Sequence, residues 1–276
     1  MDLLTETKGV LQKYGIRPNQ RLGQNFIIDE SIISKQIEYA SLRSSEVVVE
    51  VGAGIGTLTK FLLEKAGKVY VIERDKKMIG VLKDRFSGIE NLEIISGDVL
   101  RVELPEFDKM VSNIPYVISS PLTFKLLKCR FKKAIITYQR EFAERMVARP
   151  GTKDYSRLSV ACYYYAGIRL LQIVPPTAFY PEPEVHSAII EITPKEPPFD
   201  VDEEFFFKVL TGLFVHRKKT VKNALIHSLD MIFDERAYEK RRSMIDVLPP
   251  EILERRVFRL TPREIADISN TLEGTK

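Results

Sequence analysis

The stretch EVVVEVGAGIG, residues 46–56, indicates the fold class of this chain. Four of its first six residues are valine, and such a nearly continuous apolar run is typical of a strand buried on both faces of a parallel sheet. Three glycines follow at alternate positions, and the amphipathic segment TLTKFLLEK, residues 57–65, comes next. A buried strand, a glycine loop and a helix in this order predict the first strand and helix of an α/β domain.

Further short apolar runs follow and alternate with helical patterns. This alternation predicts a mostly parallel sheet with helices on both faces, so the expected fold class is α/β and Rossmann-like. Two later runs come after proline-containing loops, and we expect them to add antiparallel edge strands. The predicted strands are 46–51, 68–73, 92–96, 109–113 and 133–138, with 169–174 and 187–192 as the antiparallel additions.

The chain divides near Thr193. The segment TPKEPPFD, residues 193–200, contains three prolines and is typical of a linker. Only helical patterns follow it, and the last helix is announced by the capping-box sequence TPRE, residues 261–264. We therefore predict an α/β domain over residues 1–193, a linker over 194–200 and a small all-helical domain over 201–276.

The composition excludes several classes of protein. The 276 residues are 44% hydrophobic and 29% charged, which permits a sizeable core and excludes disorder. No apolar run reaches the ~20 residues of a membrane helix, and the N-terminus carries acidic residues, unlike a signal peptide. Cys129 and Cys162 lie in unrelated segments and the three histidines share no ligand spacing, so we expect neither a disulfide nor a metal site. These features indicate a cytoplasmic protein.

The glycine loop and a following acid predict a nucleoside-like ligand. Gly52 and Gly54 let the backbone approach a ligand closely. Glu73 ends the second predicted strand, 73 − 52 = 21 residues after Gly52, where a carboxylate can accept both hydroxyl protons of a ribose. Dinucleotide-binding folds show G-x-G-x-x-G, whereas here Thr57 stands at the position of their third glycine. This spacing favours S-adenosylmethionine, and NAD is the alternative.

Asp98 and Val99 follow the third predicted strand. Residues just past the carboxyl ends of parallel strands line the ligand crevice of an open α/β sheet. At that place Asp98 can accept a hydrogen bond from an adenine amino group, with Val99 beside the ring. A purely turn-forming role of Gly97 and Asp98 is the alternative.

The tetrapeptide NIPY, residues 113–116, ends the fourth predicted strand and suits chemistry on an adenine amino group. That nitrogen is a poor nucleophile because its lone pair is conjugated into the ring. The Asn113 side-chain oxygen and the Ile114 carbonyl can each accept one N–H, which turns the lone pair toward a methyl sulfonium. Pro115 fixes the turn, and Tyr116 offers a face on which the base stacks. Catalysis would then rest on positioning and polar stabilisation; the alternative is that Asn113 is only a turn residue before proline.

The chain resembles the ribosomal RNA adenine dimethyltransferases of the small subunit, the kasugamycin-sensitivity family, over nearly its whole length. The first and last of the matching motifs are far more specific than the glycine loop. The motifs are LGQNFI (22–27), GAGIG (52–56), NIPY (113–116), YQREF (138–142) and FYPEPEVHS (179–187).

The resemblance implies a role for individual residues of these motifs. The segment around Gln24 would fold over the methyl donor, Asn113 would contact donor and target, and Phe179 would stack on a flipped adenine opposite Tyr116. Many bacterial members have leucine in place of Ile114, and since the backbone carbonyl makes the contact we expect little consequence. The implied donor-binding residues are Gln24, Asn25, Ile27, Gly52, Gly54, Glu73, Asp98, Val99 and Asn113, and the implied catalytic residues are Asn113, Ile114, Pro115, Tyr116 and Phe179.

The resemblance also implies a reaction. Members transfer two methyl groups from S-adenosylmethionine to N6 of each of two adjacent adenosines in a hairpin loop near the 3′ end of small-subunit (16S-type) ribosomal RNA. The substrate is an immature ribosomal subunit, so a role in small-subunit biogenesis follows, and we expect a monomer without a membrane partner. Two alternatives on the same fold stay open: a large-subunit dimethyltransferase of the macrolide-resistance type, and a non-catalytic factor in ribosome assembly or transcription.

The net charge of +4 hides a local excess of basic residues. Residues 200–276 carry 14 basic and 14 acidic side chains, whereas residues 121–150 carry eight basic and two acidic ones. We expect this cluster beside the catalytic crevice in contact with RNA phosphates; a solvated helix face is the alternative. A second basic group opens the helical domain. The RNA-contact candidates are Lys128, Lys132, Lys133, Arg140, Arg217 and Lys218.

Overall fold

A computed structural model of the chain describes residues 2–19, 23–233 and 244–275. Within these ranges the strands are β1 (Phe26–Ile27), β2 (Val47–Val51), β3 (Lys68–Glu73), β4 (Leu92–Ser96), β5 (Lys109–Asn113), β6 (Lys133–Gln139), β7 (Ala166–Val174), β8 (Phe179–Tyr180) and β9 (Ser187–Pro194). The helices are α1 (Leu3–Lys13), α2 (Glu30–Ala40), α3 (Thr57–Leu63), α4 (Lys76–Arg85), α5 (Ser119–Leu126), α6 (Arg140–Met146), α7 (Arg157–Tyr165), α8 (Glu203–Val215), α9 (Val221–Phe233), α10 (Pro250–Leu253) and α11 (Pro262–Glu273). Among these described helices, none combines the length and the hydropathy that crossing a bilayer requires.

The central sheet has seven strands in the order β4–β3–β2–β5–β6–β9–β7. The strands from β4 to β6 are all parallel, which confirms the predicted mostly parallel α/β sheet. Strand β9 runs antiparallel to both β6 and β7. Both late runs are therefore antiparallel as predicted. Of these two strands, β7 lies at an edge of the sheet as expected, whereas β9 lies inside it.

Strand β2 shows why this sequence places its first strand in the middle of the sheet. Val48 and Val49 are fully buried and Val51 is 2% exposed. A strand in the middle of a sheet whose two faces are both covered by helices has no face left for water, so it needs apolar residues at successive positions. Each buried valine contributes about 1.5 kcal/mol or more. The carboxyl ends of β2, β3, β4 and β5 consequently meet at one edge of the sheet.

The chain separates into two units, residues 1–143 with 166–194 and residues 144–165 with 195–276. The second unit has its own core, in which Phe206 and Leu213 of α8 pack with Leu225 of α9. Residues 144–165 belong to this second unit, whereas the sequence pattern predicts them in the α/β domain of residues 1–193. The reason is that α7 buries apolar side chains in this helical core before the chain enters β7.

Helix α11 begins where the sequence predicts. The Thr261 side chain accepts a hydrogen bond from the N–H of Glu264, and the Glu264 carboxylate accepts one from the N–H of Thr261. Both bonds satisfy donors that the first turn of a helix otherwise leaves unpaired. The predicted capping box is therefore present.

Candidate active site

A cavity of about 960 Å³, measured with its open mouth, lies at the carboxyl ends of the parallel strands. Each of four strands brings a residue to it: Gly52 follows β2, Glu73 ends β3, Asp98 follows β4 and Asn113 ends β5. Ligands of open α/β sheets bind at this edge. The nine residues expected at a donor site all line the cavity, namely Gln24, Asn25, Ile27, Gly52, Gly54, Glu73, Asp98, Val99 and Asn113.

Two close contacts determine the shape of the glycine loop. Gly52 and Gly54 have positive φ angles of 72° and 58°, which other residues adopt only at a cost. A Cβ on Gly52 would lie 2.9 Å from Cδ of Pro115, and a Cβ on Gly54 would lie 2.9 Å from Cε1 of Phe26. The glycines therefore make room for Pro115 and Phe26, so that three separate sequence motifs meet in one cavity wall.

The Glu73 carboxylate is held by backbone donors. Its Oε1 accepts hydrogen bonds from the N–H groups of Arg74 (2.8 Å) and Asp75 (2.9 Å), and its Oε2 accepts one from Gly54 (3.0 Å). A carboxylate offers about four lone-pair directions, so these bonds leave room for one ribose hydroxyl. The sequence predicted two, and the difference arises because the turn after β3 directs its own N–H groups at the carboxylate.

The loop after β4 is held by hydrogen bonds from the Lys125 side chain. Asp98 Oδ1 accepts the N–H of Leu100 at 2.9 Å, so the turn-forming role exists alongside the position in the cavity wall. The Lys125 ammonium donates to the carbonyls of Val99 (2.7 Å) and Val102 (2.6 Å). Sequence reasoning counted Lys125 only as a member of the basic cluster, whereas its contacts position the loop that carries Asp98 and Val99.

The Gln24 side chain connects its segment to the turn after β3. Its Nε2 donates to Asp75 Oδ2 at 3.0 Å, and its Oε1 accepts the N–H of Asn19 at 2.9 Å. Asp75 itself lines the cavity. One wall is thus closed by hydrogen bonds between side chains from different motifs. Leu22, the first residue of the LGQNFI motif, lies outside the described residues.

Glu50 of β2 brings a buried carboxyl group to the same cavity. The residue is 2% exposed, and Thr59 Oγ1 donates a hydrogen bond to its Oε2 at 2.6 Å. Burial raises the pKa of Glu50 from 4.5 to about 8, and the charge of Glu73 adds to this effect. Glu50 is therefore mostly neutral at pH 7, while Glu73 accepts three backbone N–H groups.

A second cavity, of about 210 Å³, adjoins the first. Three residues line both cavities: Gly23, Asn25 and Asn113. The remaining lining of the second cavity is Ile114, Tyr116, Thr137 and Phe179. Of the five residues with an expected catalytic role, four therefore surround this cavity, and Pro115 lines the first one.

The two aromatic residues of the second cavity are held by the FYPEPEVHS motif. Tyr116 shares a hydrogen bond between its hydroxyl group and Oγ of Ser187, the last residue of the motif. Phe179, its first residue, belongs to β8, which pairs with β1. The motif thus contributes one aromatic wall directly and fixes the other.

Two further residues near Asn113 were not expected. Thr137 of β6 is the register partner of Asn113 and lines the second cavity. Gln36 is fully buried on α2, where Ile32 and Ile33 are also buried, and it contacts both residues. A polar residue at a core position of an amphipathic helix is the signal in the sequence that points to Gln36.

The basic cluster of residues 121–150 does not lie together beside the cavities, contrary to expectation. Lys133 begins β6, four residues and roughly 13 Å from Thr137, which lines the second cavity. Lys132 forms an ion pair with Asp108 at 2.8 Å, and Lys133 forms one with Glu191 at 3.4 Å. The expected position was wrong for both lysines, because the loop before a parallel strand lies at the sheet edge opposite to its carboxyl end.

The other two candidates of this unit lie at opposite edges. Lys128 is exposed in the loop that precedes β6, on the same side as Lys132. Arg140 is exposed directly after β6, and its backbone N–H donates to the carbonyl of His186 at 2.9 Å. Of the four RNA-contact candidates in this unit, Arg140 therefore lies at the edge that carries the cavities.

In the second unit, backbone hydrogen bonds bring three basic segments together. The N–H of Phe258 donates to the carbonyl of Arg217, and the N–H of Gly151 donates to the carbonyl of Phe258. The resulting surface combines residues that are far apart in sequence, so a unit whose net charge is only +2 presents a basic face. Its exposed basic residues include Arg149, Lys153, Lys218, Arg256 and Arg259, and Arg217 is half-buried beside them.

Within the described part of the chain, no three His, Cys, Asp or Glu residues are grouped so that they could hold a metal ion. The strongest ligand-binding features are the carboxylates, the glycine loop and the paired cavities. These groups suit an organic ligand with hydroxyl and amino groups.

Comparison with known sequences identifies relatives over nearly the full chain. A family model described as ribosomal RNA adenine dimethylase matches residues 15–250. A protein of Methanococcoides burtonii named "Probable ribosomal RNA small subunit methyltransferase A" is 46% identical over 262 residues, which cover 95% of each chain.

Comparison with solved structures gives a consistent result. A dimethyladenosine transferase from Plasmodium falciparum superposes with a TM-score of 0.80 at 31% identity, covering 91% of this chain and 98% of that one. The 23S rRNA methyltransferase ErmE superposes with a TM-score of 0.64 at 26% identity, covering 90% and 100%. Both matches extend over residues of both units.

Proposed function

This chain belongs to the ribosomal RNA adenine dimethylase family, and on that basis we propose that it transfers methyl groups from S-adenosylmethionine to N6 of adenosines in small-subunit ribosomal RNA. The observation that carries the proposal is the pair of adjoining cavities with Asn113 and Asn25 in their shared wall. The relative from Methanococcoides burtonii is named for the small subunit. This similarity favours the small subunit over the large one.

The larger cavity fits S-adenosylmethionine. Glu73 offers an acceptor for a ribose hydroxyl, and Asp98 offers one for the adenine amino group. Gly52 and Gly54 present no side chain, and Val99 and Ile27 supply apolar walls. Once bound, this donor supplies an electrophilic methyl group on its sulfonium centre. The protein contributes orientation: its donor wall ends at Asn113, the residue that also faces the second cavity.

The smaller cavity fits a single flipped base. Phe179 and Tyr116 provide aromatic surfaces, and stacking of this kind stabilises an unstacked base by about 1–3 kcal/mol. The Asn113 amide oxygen and the Ile114 carbonyl accept the two N–H groups of adenine N6, which aims the nitrogen lone pair at the shared wall. Positioning and polar stabilisation carry the catalysis. As the new N–C bond forms, the bond between the donor's sulfur and the methyl group would break, leaving S-adenosylhomocysteine, and N6 would lose its surplus proton to solvent.

The finer identity of the substrate is part of the same proposal. We assign two methyl groups to each of two adjacent adenosines in the hairpin loop near the 3′ end of the small-subunit RNA, within an immature subunit, with the enzyme acting as a cytoplasmic monomer. The support is the likeness of the LGQNFI and FYPEPEVHS motifs, whose residues line both cavities.

RNA contact is assigned to Arg140 at the cavity edge and to the basic face of the second unit, which includes Arg217 and Lys218. Phosphate contacts of lysine and arginine orient a nucleic acid without reading its sequence. The assembly of three basic segments into one face supports this assignment. Lys132 and Lys133 are left out, because their ion pairs lie at the opposite sheet edge.

The test is methylation of immature small subunits that lack the modification. The protein is incubated with them and with tritiated S-adenosylmethionine, and the digested RNA is searched for N6,N6-dimethyladenosine. Label in the 3′-terminal hairpin of the small-subunit RNA is the expected result. Label confined to large-subunit RNA would overturn the proposal in favour of the macrolide-resistance type, and donor binding without any methylation would indicate a non-catalytic factor.

A further inference from the structure

Gln36 forms a reciprocal amide pair with Asn113. Its Nε2 donates to Asn113 Oδ1 at 2.9 Å, and its Oε1 accepts a hydrogen bond from Asn113 Nδ2 at 3.2 Å. The same Nε2 donates to Thr137 Oγ1 at 3.0 Å. Gln36 itself lies behind both cavities, because it belongs to the lining of neither. Both of its hydrogen-bonding partners line the second cavity.

The pair occupies half of the hydrogen-bonding groups of the Asn113 side-chain amide. A primary amide has two lone pairs on oxygen and two N–H groups on nitrogen. Gln36 occupies one lone pair and one N–H, so one lone pair and one N–H remain for ligands. Because two hydrogen bonds join the amides, the plane of the Asn113 side chain and the direction of its remaining lone pair are both fixed.

Burying the polar side chain of Gln36 costs free energy, because it loses its hydrogen bonds to water. The side chain is fully buried on the apolar face of α2, where an apolar residue would fill the space without losing hydrogen bonds to water. Thr137 anchors the second proton of the Gln36 amide, which keeps that amide from rotating out of the plane of its partner. The three residues come from α2, β5 and β6, so they form one rigid support behind the second cavity.

We propose that Gln36 is a positioning residue for methyl transfer, acting through Asn113. It directs the free lone pair of Asn113 at the target amino group and so fixes the approach of N6 to the methyl donor. This inference rests on the proposed function, since it assumes that the Asn113 oxygen accepts a hydrogen bond from N6 of the target adenine. Gln36 touches neither donor nor target, and its effect is therefore expected in the chemical step.

A double-mutant cycle on methylation of immature small subunits tests the proposal. We expect Gln36→Met, which keeps the side-chain length, to lower kcat roughly 10- to 100-fold, as a small misplacement of a catalytic group does. The Kd for S-adenosylmethionine should change by less than about threefold, because Gln36 does not line the donor cavity and the contacts that bind the donor in the ground state are kept. In an Asn113→Ala background the same change should cost little more, since residues that act as a unit are not additive. Ser228→Ala removes a buried hydrogen bond to Gly212 in the other unit and should leave kcat unchanged.

Two outcomes would overturn the proposal. One is an unchanged kcat in Gln36→Met. The other is that Gln36→Met lowers kcat by the same factor in Asn113→Ala as in the unaltered protein. Activity of the unaltered chain tests the proposed function separately, so failure of the two ideas can be told apart. A readout without donor or RNA is the ¹⁵N side-chain amide signal of Asn113, assigned by its loss in Asn113→Ala. Slow solvent exchange of the Asn113 Nδ2 proton that is bonded to Gln36 Oε1 is expected in the unaltered protein. Exchange at the rate of a free amide would overturn the proposal even if Gln36→Met failed to fold.

Discussion

Ile27 and Phe179 stand directly opposite each other in the antiparallel pair formed by β1 and β8. Ile27 lines the larger cavity and Phe179 lines the smaller one. The ladder continues with the N–H of Ile28, which donates to the carbonyl of Ala178 at 2.9 Å. A wall of the larger cavity and a wall of the smaller cavity are therefore held by the same backbone hydrogen bonds, although 152 residues separate them in sequence (179 − 27).

This pairing predicts that donor binding protects the target wall. On adding S-adenosylhomocysteine, the amides of residues 178–180 should exchange more slowly with deuterium, although these residues do not line the donor cavity. The reason is that fixing Ile27 fixes the strand paired with it. Hydrogen–deuterium exchange read by mass spectrometry measures the effect, with β7 at the sheet edge as the internal control. Protection confined to residues 23–27 would show that the two walls are independent.

Asn113→Ala should separate binding from chemistry. We expect donor affinity within about tenfold of the unaltered protein and loss of most turnover, because the remaining cavity wall still binds the donor while one acceptor for the N6 proton is missing. Isothermal titration with the donor and single-turnover methylation measure the two quantities. Tyr116→Phe, which removes only the hydroxyl group bonded to Ser187, is the milder comparison. Turnover near the original rate in Asn113→Ala would refute amino-group activation.

Lys125→Met should weaken donor binding from outside the cavity. Its ammonium donates two charge-assisted hydrogen bonds to the loop that carries Asp98 and Val99, and loosening this loop by about 1.4 kcal/mol raises Kd tenfold. Titration with S-adenosylhomocysteine measures the change. Lys83→Met, at an exposed position of α4, removes the same charge elsewhere and should leave Kd unchanged. Equal effects of the two variants would reduce the role of Lys125 to net charge.

Glu50 should make stability depend on pH. Its pKa in the folded state is about 8, above its ordinary value of 4.5, so the folded state binds the proton more tightly and the stabilisation falls as pH rises through 8. Glu50→Gln removes this loss. The variant should therefore gain in Tm relative to the unaltered protein at pH 9, by roughly 2–4 °C per kcal/mol of relief. Thermal unfolding at pH 6 and pH 9 measures the gain, which should shrink at the lower pH; an equal difference at both values would contradict a titrating Glu50.

The basic face of the second unit should control the salt dependence of RNA binding. Lys218→Ala with Arg259→Ala should lower the slope of log Kd against log salt by up to about two, one for each phosphate that is no longer neutralised. Lys132→Ala with Lys133→Ala is the matched control, because it removes the same number of charges at the sheet edge away from the cavities. Filter binding of immature subunits over a range of salt concentrations gives both slopes. A larger change in the control pair would return RNA contact to the 121–150 cluster.

Local sequence was sufficient to predict most of the sheet. The five parallel strands begin and end within one residue of the predicted limits. For the four inner ones the reason is that strands buried on both faces have to be apolar at nearly every position. The capping box at Thr261 was predictable for a similar reason, since its hydrogen bonds join residues three apart. The inner position of β9 was not predictable, as it depends on pairing with β6 and β7 across long loops.

The donor and target residues divide in the same way. Gly52, Glu73, Asp98 and Asn113 could be named from the sequence because each ends or follows a strand, and parallel strands end at one edge. The hydrogen bonds that hold them could not. Lys125 anchors a loop more than 20 residues away in sequence, and Gln36 on helix α2 reaches Asn113 at the end of β5.

Short-range periodicity and motifs of fixed spacing were enough to establish the α/β class, the family and the residues at the carboxyl edge of the sheet. Which charges lie near the cavities, and which groups hold the Asn113 amide, became visible in the folded chain alone. Lys133 and Arg140 are seven residues apart (140 − 133) in the same basic run, yet they lie at opposite edges of the sheet because β6 extends between them. Side-chain charge is local, but its direction is a property of the whole fold.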